Sequence, residues 1–132
     1  FILQNIHRYF LYAALVILVI LWWDVVKAAI FVMPDGRHRF GIGGGTLAIL
    51  ASTFTLTLYT FSCHSLRHLV GGKLDCFSCT AAARARHGAW KRVSSLNEHH
   101  MGFAWISLVA VCFADFYVRM VAMGIFHDVR LL

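Results

Sequence analysis

The chain has 132 residues, of which 60% are hydrophobic and 14% charged, and a formal net charge of +6. A soluble domain carries about 25% charged residues, so this composition excludes an ordinary water-soluble protein and points to the membrane. With one proline, ten glycines and no polar–apolar alternation at every second residue, the pattern excludes a β-barrel and leaves spanning helices. The basic residues flank apolar runs, where membrane topology accounts for them, so no nucleic-acid partner is expected.

The expected fold is all-α, a single membrane domain over 1–132 with three spanning helices. The first helix should run from about Tyr9 to Met33, longer than the ~20 residues that cross a bilayer. Asp24 and Lys27 follow the apolar run Leu11–Trp23 where a signal peptide would need small residues, so a retained span is expected. Pro34-Asp35-Gly36 should end it. A loop then carries Arg37-His38-Arg39 and Gly41-Ile42-Gly43-Gly44-Gly45. These glycines resemble a phosphate-binding loop only superficially, because no strand is expected before them and a span follows. Helix two, about Thr46 to Val70, carries Thr46, Ser52, Thr53, Thr55, Thr57, Thr60 and Ser62. Small polar residues at this density suit a face packed on protein.

The densest chemistry lies between Cys63 and Cys79, where three of the four cysteines and two histidines fall within 17 residues. His64 and His68 are four apart and share a helix face. Gly71-Gly72 should break the helix, and Asp75, Cys76 and Cys79 then offer a C-x-x-C pair. Two thiolates and two imidazoles suit zinc, or an iron–sulfur cluster with histidines on one iron. Cys63 points about 100° from His64 on a continuous helix, and joins the ligand set only if the helix unwinds.

The loop expected over 71–97 holds Lys73, Arg84, Arg86, Lys91 and Arg92, preceded by Arg67, against Asp75 alone. The positive-inside rule therefore places it in the cytoplasm of a multi-pass plasma (inner) membrane protein. That compartment is reducing, so a structural disulfide between Cys76 and Cys79 is not expected and metal ligation is favoured. Helix three should run from about Glu98 to Phe126. His99 and His100 open it at the depth of the cassette, where either suits a metal, an axial haem position or a quinone carbonyl. Trp90 and Arg92 sit at headgroup depth, a second pair of quinone candidates. Asp115 with Arg119, and Asp24 with Lys27, are expected to form contacts between helices. Cys112 reads as a buried small apolar residue.

The run Cys-His-Ser-Leu-Arg-His-Leu-Val-Gly-Gly, then Asp-Cys-Phe-Ser-Cys, then Leu-Asn-Glu-His-His-Met-Gly-Phe-Ala-Trp resembles the membrane-anchor subunit of actinobacterial succinate dehydrogenase, respiratory complex II. The resemblance covers roughly Ala48 to Ala122. It implies a subunit without an active site for succinate, one that holds the flavoprotein and iron–sulfur subunits and helps form the quinone site; a higher oligomer of the complex is a further expectation. It also implies a Rieske-type 2Fe-2S cluster, for which His64, His68, Cys76 and Cys79 are the expected ligands with Cys63 in reserve. The soluble Rieske pattern, Cys-x-His with Cys-x-x-His, is absent. Two other readings remain open, a cytochrome b anchor binding haem b through His64 or His68 with His99 or His100, and a non-redox membrane protein with structural zinc.

Overall fold

The computed structural model of the chain describes residues 2–32, 36–72, 75–129 and 131, with side chains at all of these except 2–5 and 32. Met33, Pro34, Asp35 and Lys73, which figure in the expected end of helix one and in the basic loop, lie outside the described residues. The elements are α1 (Ile2–Ala28), β1 (Ile30–Val32), β2 (His38–Phe40), α2 (Gly44–Phe61), α3 (His64–Gly71), α4 (Ala81–Glu98) and α5 (His100–Ala122). Among the described residues three helices are long and apolar enough to cross a membrane, Ile6–Ala28, Gly44–Phe61 and His100–Ala122. The all-α, three-span expectation holds. The helix bounds do not, and each difference has a local cause.

Helix one ends at Ala28, short of Met33, because the chain turns into a hairpin whose strands pair antiparallel with Ile30 opposite Phe40 and Val32 opposite His38. The loop expected to be irregular is therefore partly a β-ribbon. Helix two is broken. Ser62 is the C-cap of α2, its hydroxyl donating to the Tyr59 carbonyl at 2.8 Å while its own carbonyl accepts from Asn97 Nδ2 at 2.7 Å. Cys63 then adopts an extended backbone (φ −65°, ψ 134°) and α3 starts at His64 in a new direction. The segment expected as a loop over 71–97 is mostly helix: Thr80 caps α4, its hydroxyl oxygen accepting from the Ala83 N–H at 3.1 Å. Helix three ends at Ala122 instead of Phe126. Gly124 takes φ +73°, its N–H bonds the Val121 carbonyl, and the Ile125 N–H bonds that of Met120, a pair of bonds that closes a helix through a left-handed residue.

The spans are held by α2. It packs on α1 and, more extensively, on α5. Thr46 donates to the Ala28 carbonyl at 2.8 Å, and Trp22 Nε1 donates to Thr57 Oγ1 at 3.2 Å. Thr53 and Ser62 are 1% and 0% exposed, so the small polar residues of α2 do face protein. The outward faces of α1 and α5 keep Val16, Val19, Trp105 and Val109 exposed, as lipid contact requires. A small core of Leu11, Cys63, Leu66 and Val93 closes one end of the bundle, where α1, α3 and α4 meet.

At the other end the glycine run has a task. The Asp128 carboxylate accepts from the Gly45 N–H at 2.9 Å and from the Tyr117 hydroxyl at 3.1 Å. A Cβ on Gly43 would lie 2.7 Å from Asp128 Oδ2. The glycines thus admit a carboxylate from the chain's own tail to the start of α2, where it suits the positive end of the helix dipole.

Asp115 and Arg119 pair at 2.8 Å within one helix turn, with side chains 61% and 71% exposed, and not across helices as expected. Lys27 lies over the Trp23 ring at 5.7 Å and forms no ion pair with Asp24. Cys112 is exposed, where burial was expected.

Candidate metal centre

Antiparallel packing of α1 on α2 brings the start of α1 beside the break after Ser62. His7, in the second turn of α1, therefore meets Cys63 and His64. His7 Nε2 lies 3.1 Å from Cys63 Sγ, and the His7 and His64 rings stack with centroids 4.7 Å apart. The ligand atoms of His7, Cys63 and His64 all lie within 4.8 Å of one another. Among the described residues this is the group of three metal-ligating side chains that the fold assembles. The unwinding that Cys63 needed has occurred, since its extended backbone turns the thiol out of the helical register and towards α1.

His64 is neutral at ordinary pH. Partial burial lowers its pKa below the usual histidine range, and the neighbouring His7, His68 and His100 lower it further. A neutral imidazole is the form that ligates metal.

A cavity of about 140 Å³ adjoins this corner, lined by His7, Phe10, Tyr59, Thr60, Cys63 and His100 among others. His100 stacks on Tyr59 at 4.8 Å and its Nδ1 lies 2.8 Å from Ser62 Oγ. Ser62 has one hydroxyl hydrogen, and it is directed at the Tyr59 carbonyl. By that count His100 Nδ1 carries the hydrogen in its bond to Ser62, which leaves Nε2 with a free lone pair.

The other expected site residues are elsewhere. His68 meets His64 edge-on at 6.5 Å and lines a different cavity. Cys76 and Cys79 are joined in a disulfide with Cα atoms 5.8 Å apart, contrary to the expectation of free thiols. The four side chains His64, His68, Cys76 and Cys79 do not come together as one ligand group among the described residues. The C-x-x-C lies between α3 and α4, with Cys79 two residues before α4 begins at Ala81. His99 is exposed at the α4–α5 junction, its ring near Phe103. Trp90 is a packing residue: its ring covers Gly71, stacks near His87 and carries the Arg67 guanidinium at 5.2 Å. Arg92 is exposed, on the outward side of α4. Besides Arg67, two of the basic residues that suggested topology have structural partners. Arg86 donates to the Val70 carbonyl at 2.8 Å and to that of Gly72, closing the carbonyl end of α3, and Arg84 donates to the Ser78 carbonyl at 3.0 Å.

Sequence reasoning missed His7. The available signal was antiparallel pairing of two spans of similar length, which sets the start of one beside the end of the other.

Three spans with imidazoles and a thiol gathered at one end define a helical integral-membrane protein with a ligand-bearing corner. Family comparison makes this specific: residues 1–124 match the family described as Actinobacterial succinate dehydrogenase subunit SdhC. The chain belongs to that family of succinate dehydrogenase membrane subunits. It is also similar to a chain of the Mycobacterium smegmatis Sdh1 complex solved in the apo form, with 44% identity and a TM-score of 0.84 over 99% of this chain. This chain spans 47% of that relative's length. Comparison with curated proteins gave no match.

Proposed function

We propose that the chain anchors the flavoprotein and iron–sulfur subunits of succinate dehydrogenase at the cytoplasmic face of the membrane. In this reading it carries an iron centre, held by His7, Cys63 and His64, on the electron path to quinone. The observation that carries the proposal is the convergence of those three ligand atoms within 4.8 Å at the wall of the His100 cavity. Succinate oxidation belongs to the soluble partners. Arg67, Arg84, Arg86, Lys91 and Arg92, all on α3 and α4 at this end of the bundle, support the cytoplasmic orientation.

The donor set decides what the corner suits. A Rieske-type cluster takes two thiolates and two imidazoles. Cys76 and Cys79 are joined to each other, so the corner reading takes its thiol from Cys63. One thiol and two imidazoles suit a borderline transition metal, and His100 stands on the same cavity as a further donor. An iron centre here would supply one-electron exchange. The chain's own residues hold and orient: His64 stays neutral, His7 is stacked against it, and His100 presents Nε2 towards a quinone oxygen, where it can take up or return a proton. Tyr59, on the same wall, is placed to hydrogen-bond a quinone carbonyl. Of the four quinone candidates read from the sequence, the cavity favours His100 over His99, Trp90 and Arg92.

Metal and acid-labile sulfide analysis of the purified complex, with electron paramagnetic resonance of its reduced form, tests the reading. The expected result is iron lost in His7→Ala, Cys63→Ser and His64→Ala, and retained in Cys76→Ser and Cys79→Ser. Iron lost only from the Cys76 and Cys79 variants would restore the C-x-x-C ligand set and overturn the corner assignment. A bis-histidine Soret band would transfer the centre to haem b, and stoichiometric zinc with no iron beyond that of the iron–sulfur subunit would make it structural.

A further inference from the structure

We propose that the cleft between the start of α1 and α3 binds the phosphate of an anionic phospholipid. This cleft is separate from the His100 cavity. Its volume is about 350 Å³, and its polar lining is Arg8, Tyr12, Ser65 and His68, with Leu11 and Leu69 forming apolar wall. All four polar side chains are able to donate hydrogen bonds, and no carboxylate lines the cleft among the described residues. A donor-rich, cationic lining selects an anion.

The lining donors are free to meet a ligand. Ser65 is 4% exposed, and the part it exposes lines the cleft. Arg8 has no ion pair or hydrogen bond among the described residues, so its five N–H donors are uncommitted. The Tyr12 hydroxyl is also unpaired. Arg8 is exposed beside Ser65 at the cleft, so guanidinium and hydroxyl are both placed to donate to one anion there.

The walls specify the rest of the molecule. Arg8 stands two residues inside the start of the span Ile6–Ala28, at the depth where a lipid phosphate lies. Leu11, one turn deeper, and Leu69 give an acyl chain an apolar path leading from the phosphate. Planar guanidinium suits two phosphate oxygens at once, with Ser65 and Tyr12 donating to the others. Basic pockets between spanning helices are a general form of headgroup site. A quinone would match the hydroxyls and the apolar wall but would leave the Arg8 charge without a counterion.

The test uses the purified, delipidated complex in neutral detergent, titrated with micelles containing dioleoyl phosphatidylglycerol, with dioleoyl phosphatidylcholine, or with inorganic phosphate. Native mass spectrometry counts bound lipid and thermal unfolding reads its effect. Phosphatidylglycerol should bind and raise the unfolding temperature. Arg8→Gln should weaken its affinity at least tenfold, and Ser65→Ala several-fold, while the iron content stays that of the parent. Arg8→Lys should recover part of the affinity. Equal binding of phosphatidylcholine, protection by inorganic phosphate at the same concentration, or unchanged phosphatidylglycerol affinity in both Arg8→Gln and Ser65→Ala would overturn the proposal. Displacement of bound lipid by a short-chain quinone with parent-like affinity in Arg8→Gln would reassign the cleft to quinone.

Discussion

Gly71→Ala should destabilise the end of the bundle that holds the metal corner, and the reason is a single side chain. A Cβ at position 71 would lie 2.8 Å from Trp90 Nε1 and closer still to Cδ1. No carbon fits there unless the indole moves. Moving it disturbs the Arg67 guanidinium over the ring at 5.2 Å and the His87 stack at 5.8 Å. Overpacking of this kind costs about 1–3 kcal/mol, and a weakened cation–π contact adds about 0.5–1 kcal/mol at an exposed site. Alanine recovers at most about 1 kcal/mol of helix propensity, and less in the last turn of α3. The net expectation is a loss of about 1–2 kcal/mol, read as a fall of several degrees in thermal unfolding of the purified complex. The contact is isolated by a double-mutant cycle. In a Trp90→Ala background the obstacle is gone, and Gly71→Ala should become neutral or stabilising. Equal destabilisation by Gly71→Ala with and without Trp90 would refute the reasoning, because the cost would then reside in the backbone.

Asp128→Ala removes the acceptor shared by Gly45 N–H and the Tyr117 hydroxyl, and should cost about 1–3 kcal/mol in thermal or denaturant unfolding, with Tyr117→Phe costing less because the Gly45 bond remains. Asp115→Asn leaves Arg119 without its partner and should lower the yield of assembled complex, whereas the double change Asp115→Asn with Arg119→Gln should restore it to near the parent, since the pair lies within one helix. Parent-like assembly of the single variant would contradict this. Thr57→Ala removes the acceptor for Trp22 and should cost only about 0.6 kcal/mol, the average for a hydrogen bond between spanning helices, measured as a small shift in unfolding. His64 has a folded-state pKa below its unfolded value near 6.5, so the unfolded chain binds the proton first as pH falls. Its contribution to the stability of the metal-free protein is fully present above about pH 6.5 and should be lost below it, and His64→Gln should flatten that part of the stability–pH curve.

Hydropathy and charge were enough to establish three spans, since runs of about 20 apolar residues have no other economical fate. The cassette from Cys63 to Cys79 was legible as the part of the chain with chemistry, and the residues around it carried the family. What the sequence could not convey was where each helix bends. Ser62 and Cys63 contain no proline or glycine, and the break between them depends on Asn97 reaching the Ser62 carbonyl from α4. The helix α4 hides in a basic segment whose composition suggested a loop. The metal corner itself depends on tertiary structure. His7 lies 56 residues from Cys63, and only the antiparallel packing of α1 on α2, with the extended backbone at Cys63, brings thiol and imidazole to 3.1 Å. Spacing along a chain specifies neighbours within one helix; neighbours between helices are set by which faces pack, and that is decided by the buried threonines and serines of α2 acting together.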